Sequence, residues 1–160
     1  MRKRKITEKK GSIVIMEVVN ILIVVIIFAV LFDLILISTQ YLHLSKIGNQ
    51  VARTVAVQSG LKSSTPSNYP GGNQGYYTTS EIYNFLDENM KESNFEAYYL
   101  EINNTLMSRL SSKVLDYKDV ITVELSAEFK WMLLGNFIPG LSADEHYITV
   151  KKVVYAEYQQ

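Results

Sequence analysis

The stretch KKGSIVIMEVVNILIVVIIFAVLFDLILIS, from Lys9 to Ser38, decides the fold. Between Ile13 and Ile37 it holds twenty-five residues, of which only Glu17, Asn20 and Asp33 are strongly polar. A bilayer core of about 30 Å takes roughly twenty helical residues at 1.5 Å each, so the run is long enough to cross. It exceeds the apolar region of a secretory signal, about 7–15 residues. The Ser-Thr-Gln-Tyr-Leu-His that follows it offers no small-residue cleavage site. Its many Val and Ile residues favour strand in water. In lipid a lone segment must satisfy its own backbone, and helix is the form that does so.

The three polar residues need an account, because any twenty-residue window of the run contains at least two of them. Glu17 is about 6 Å along the axis from Ile13, and one reading seats it among headgroups. The other pairs it with a positive group on another chain, since an unpaired ionisable side chain in a span costs a few kcal/mol. Asn20 is tolerable alone. Asp33, about 30 Å from Ile13, is expected at the opposite membrane surface.

Charge gives the orientation. The chain of 160 residues is formally neutral, but its first eleven residues carry six bases against one acid, a net of +5, and the remainder carries −5. A basic leader beside an apolar run predicts a cytoplasmic N-terminus and a C-terminal bulk outside a cell membrane that is crossed once. No aromatics interleave with these bases, so nucleic acid is not an expected partner.

The helical pattern continues past Ile37. Tyr41, Leu44, Ile47, Val51, Val55 and Gln58 recur at steps of three and four, with Lys46, Asn49, Gln50 and Arg53 between them. That is one apolar stripe, with Gly60 a candidate C-cap, and it predicts a helix over 12–59. Residues 62–77, with Pro66, Pro70, Gly71, Gly72 and Gly75, read as loop. Thr78 with Glu81 forms a capping-box pattern ahead of a short amphipathic helix over 79–91, carried by Ile82, Phe85, Leu86 and Met90. Strands are expected over 98–102, over 120–131 from strict alternation, and over 147–158 with a bulge near Lys151 and Lys152. The connection over 132–141 is oddly apolar. The expected fold class is α+β: a long N-terminal transmembrane helix continuing outside the membrane, packed by a short helix and an antiparallel sheet of about three strands. The corresponding segments are a leader (1–11), a span (12–37), an extracytoplasmic continuation (38–59) and an extracytoplasmic domain (60–160).

Catalytic signals are missing from the pattern. There is no cysteine, which excludes disulfides, thiolate metal sites and cysteine nucleophiles. His43 and His146 have no metal-ligand spacing, and no phosphate-binding glycine loop, HExxH or GxSxG occurs. Asn103-Asn104-Thr105 matches a glycosylation acceptor, a pattern that arises often by chance. The expectation is a protein without cofactor or metal that is not an enzyme.

A basic leader, Gly11, and an apolar helix with an early Glu17 resemble the N-terminus of type IV pilin-like proteins. The whole chain is similar to TadE-like minor pilins, or pseudopilins. The points of likeness are the continuing helix with NQVARTVA (49–56) and TVELSAEFKWMLLGNFIPGL (122–141) running into a last strand. The resemblance covers most of residues 9–160. It implies a prepilin peptidase acting after Gly11, with Ser12 as the new N-terminus, and Glu17 neutralising a neighbouring subunit's amine, with Asn20 beside it. Here Glu17 is the sixth residue after Gly11, where the usual pattern has the fifth, and an uncleaved form is the other outcome. The implied partners are the lipid bilayer, other pilin-like subunits and a polytopic assembly platform. In the 132–141 region Trp131, Leu133, Leu134, Phe137, Ile138 and Leu141 are candidate docking residues, if the segment is not instead folded back onto the core. The alternative from another class is a single-pass protein whose outer domain binds a ligand or senses the wall.

Overall fold

The computed structural model describes residues 2–70, 75–138, 140–141 and 145–157, with side chains from Ile13 onward. Helix α1 covers Arg2–Gln58. It begins ten residues before the expected start, because Arg, Lys and Glu are good helix formers and Gly11 costs only about 1 kcal/mol within a helix. The chain divides into two compact units: Met1–Ile37 with Lys130–Asp144, and Ser38–Phe129 with Glu145–Gln160.

The second unit is built on a four-stranded antiparallel sheet of order β3-β2-β5-β6. Its strands are β2 (Tyr98–Ile102), β3 (Thr105–Leu106), β5 (Val120–Phe129) and β6 (His146–Tyr155). Two-residue strands β1 (Gly60–Leu61) and β4 (Lys113–Val114) pair separately. The expected three strands are present, and the short ones add the rest. Alternation in β5 buries Ile121, Val123, Leu125 and Ala127 completely. Each large aliphatic side chain so buried contributes about 1.5–3 kcal/mol. The α1 stripe of Leu44, Ile47, Val51 and Val55 is buried with them, as are Ile82, Leu86 and Met90 of α2 (Thr79–Glu92). Tyr41 departs from its predicted place on that stripe and is exposed.

Three local details follow from sequence. The capping box is formed: the Thr78 backbone N–H donates to Glu81 Oε2 at 2.7 Å, and the Glu81 N–H donates to Thr78 Oγ1. Gly60 has φ +121°, and a Cβ there would lie 2.0 Å from the Lys113 carbonyl oxygen, so β1 can approach β4 only with glycine. Asn103 and Asn104, both at positive φ, make the two-residue turn between β2 and β3. The Asn103 side chain is also engaged, accepting from Thr122 N–H and donating to the Val120 carbonyl.

The bulge expected in β6 is absent. The β5–β6 register is uniform from Val120↔Tyr155 to Phe129↔His146. Lys152 shares the inward face with Ile148 and Val150, and its Nζ donates to Ser45 Oγ at 2.9 Å. A lysine stem lies along apolar surface while its tip reaches a polar atom, so the alternation is kept by a residue that reads as breaking it. The 62–77 loop is observed in outline, with Gly71 and Gly72 outside the described residues, as is Tyr158 of the last predicted strand.

Candidate functional site

Two features of the first unit carry chemical information: the acids of the apolar run and the segment after β5. From Ile13 to Ile35 nearly every large aliphatic or aromatic side chain is exposed, Phe28 at 67 %. Only 11 % of the most apolar window is buried. A core helix of a water-soluble domain would show the opposite. The chain is therefore α+β with one helix near its N-terminus that is long and apolar enough to cross a membrane.

Glu17 and Asn20 sit three residues apart on one helical face, both exposed among Val14, Ile21 and Val24. Among the described residues, neither has a side-chain partner. Gly11 and Ser12 lie in the helical backbone of α1, and the Ser12 side chain is outside the described residues.

Asp33 is treated differently: the residue is 2 % exposed. Its Oδ2 accepts from Leu134 N–H at 2.8 Å and from Leu133 N–H at 3.2 Å, and Oδ1 accepts from Leu133 N–H at 3.1 Å. Those amides open a four-residue helix, α3 (Leu134–Phe137). Leu133 stands at its N-cap position with a side chain unable to cap, and Asp33 supplies the acceptor from a hundred residues away. A carboxylate accepting from backbone N–H groups is among the stronger hydrogen-bonding arrangements, and this one offsets part of the cost of burying the charge.

The segment thus folds back, and it does so onto the Asp33 end of the apolar run. Leu134 is buried, as is Ala29 one turn before Asp33. Trp131 is half-buried with its indole Nε1 shielded from solvent, and Leu141 is half-buried. Leu133, Phe137 and Ile138, with Met132, keep exposed side chains. Of the six candidate docking residues, three are therefore outward and three are partly or wholly used in folding.

The second unit offers two further features. A groove of about 310 Å³ is lined by Gln50 and Val51 of α1, Glu81, Ile82 and Phe85 of α2, and Tyr77. On another surface, Arg109 pairs with Asp87 and donates to Asn84 Oδ1 at 2.7 Å, and its guanidinium lies 5.8 Å from the Tyr83 ring centre. Tyr98 donates its hydroxyl to Asp87, and burial followed by that acid raises the Tyr98 hydroxyl well above its usual range. These contacts tie α2 to β2 and to the loop after β3. The Glu81 carboxyl is held below its usual range by the Thr78 backbone N–H and then by the Thr78 hydroxyl.

Comparison with protein-family models, with curated proteins and with solved structures finds no match for this chain. Its functional reading rests on its own residues.

Proposed function

We propose that this chain is a structural subunit, a TadE-like minor pilin or pseudopilin of a pilus or secretion assembly, acting by membrane anchoring and subunit packing. The observation that carries the reading is the contrast between two acids of one apolar run. Asp33 is satisfied by the chain's own backbone, whereas Glu17 faces outward beside Asn20 with no side-chain partner among the described residues. An ionisable side chain left unpaired in a span is costly unless a cation meets it. A neighbouring subunit's amino terminus is such a cation, and the pair would fix register between otherwise featureless helices. The +5 leader keeps the N-terminus in the cytoplasm and the sheet domain outside.

Glu17→Ala tests this. Membrane insertion is expected to persist while co-purification with pilin-like subunits and the assembly platform is lost. Mass spectrometry of the mature chain is the companion measurement: a start at Ser12 marks prepilin processing, and an intact leader marks a stable anchor. A second reading, a single-pass anchor presenting a binding domain, is favoured by the groove between α1 and α2. Undiminished co-purification of Glu17→Ala would favour it.

A further inference from the structure

The structure assigns the 130–141 segment to the lipid: we propose that it is an interfacial wedge whose Met132, Leu133, Phe137 and Ile138 side chains contact phospholipid acyl chains, at the membrane surface where the span ends. The inference rests on the reading of Ile13–Ile37 as a bilayer span and adds a second lipid-binding element to it.

Three observations carry it. The first is depth. Asp33 lies twenty residues after Ile13, about 30 Å along a helix and so one hydrocarbon thickness away. Hydrogen bonds from Leu133 and Leu134 hold the segment at that level. The second is surface. Met132 is 65 % exposed and Phe137 47 %, in the same unit as the outward-facing Leu31, Phe32, Leu34 and Ile35 of the span. One compact unit thus carries exposed apolar side chains on both the helix and the segment. The third is backbone chemistry. Lipid-exposed irregular backbone does not occur within the hydrocarbon, so the segment belongs at the interface, with many of its backbone polar groups engaged by the chain itself. Asp33 takes the Leu133 and Leu134 N–H groups. Asn136 N–H donates to the Leu133 carbonyl, Ile138 N–H to Leu134, Leu141 N–H to Ile138, and the Asn136 side-chain amide to Met132. Lys130 and Trp131 at the segment's start are the residue types that anchor chains at the interface.

The absence of cysteine makes the test direct. Single cysteines at Phe137, Ile138, Phe28 and Leu110 of the full chain are nitroxide-labelled in phosphatidylcholine–phosphatidylglycerol vesicles, and collision with oxygen and with a water-soluble nickel chelate is measured. Phe28 reports on the span and Leu110, 85 % exposed, on water. The expected result is a deep signal at Phe28, an aqueous one at Leu110, and oxygen-to-nickel ratios at Phe137 and Ile138 severalfold above that of Leu110. Aqueous ratios at Phe137 and Ile138 with a deep Phe28 would overturn the wedge and leave the span standing. Shielding of both from either collider would assign the surface to another protein chain and overturn it too. An aqueous Phe28 would remove the span and the wedge together.

Discussion

The two halves of α1 are made of similar aliphatic residues and are used in opposite ways. From Ser38 to Gln58 one apolar stripe is buried, and polar residues fill much of the remaining faces. From Ile13 to Ile37 the apolar residues run all round the helix and most of them face outward, Ala29 excepted. The difference lies in what stands between the aliphatics: Lys46, Asn49, Gln50 and Arg53 make water an acceptable solvent for one half, while only Glu17, Asn20 and Asp33 interrupt the other. Within the apolar half the two acids repeat the contrast on a smaller scale. Asp33 is capped onto its own chain, and Glu17 has no side-chain partner among the described residues.

The contrast between halves can be broken by truncation. Leu125→Ala, in the fully buried face of β5, is expected to cost about 3–4 kcal/mol in denaturant unfolding of the detergent-solubilised chain. Phe28→Ala in the apolar half is expected to leave the same transition where it was. A comparable loss from both would mean that the apolar half has a protein core of its own. The contrast between acids is sharpened by amide exchange. Asp33→Ala should speed exchange at Leu133 and Leu134 by about tenfold, the equivalent of roughly 1.4 kcal/mol for a lost cap, without moving the sheet transition. Glu17→Ala should leave those amides unchanged.

The smallest expected effect concerns a carboxylate that the folded domain satisfies in water. Because the Glu81 carboxyl is held below its usual range by Thr78, it stabilises the fold above its unfolded pKa, and this contribution fades as pH falls through the folded value. Glu81→Gln should therefore flatten the loss of melting temperature on acidification. An unchanged slope would show that the capping box adds no pH-dependent stability.

What the sequence disclosed was local. The stripe on α1, the capping box and the alternation of β5 are written in residues three, four or two apart, and the structure places them as read, apart from the exposed Tyr41. Strands β1, β3 and β4 are two residues long, too short for any period to register. Asn103-Asn104 held a turn signal, two residues tolerant of positive φ between strands, that its match to a glycosylation pattern obscured. Lys152 looked like a break in alternation because its charge hid its stem. The Asp33 cap was illegible for a plainer reason: its donors lie a hundred residues downstream, and nothing near either partner encodes the meeting. Glu17 and Asn20, the other two polar residues of the run, are exposed.

The central claim is that Glu17 meets a cation on a different molecule inside the membrane. A benzophenone side chain at Asn20, one helical turn away on the same face, tests it most directly when irradiated in native membranes. The account predicts an adduct with a second pilin-like chain that disappears in the Glu17→Ala background. Reaction with lipid alone while Glu17 is intact would contradict it.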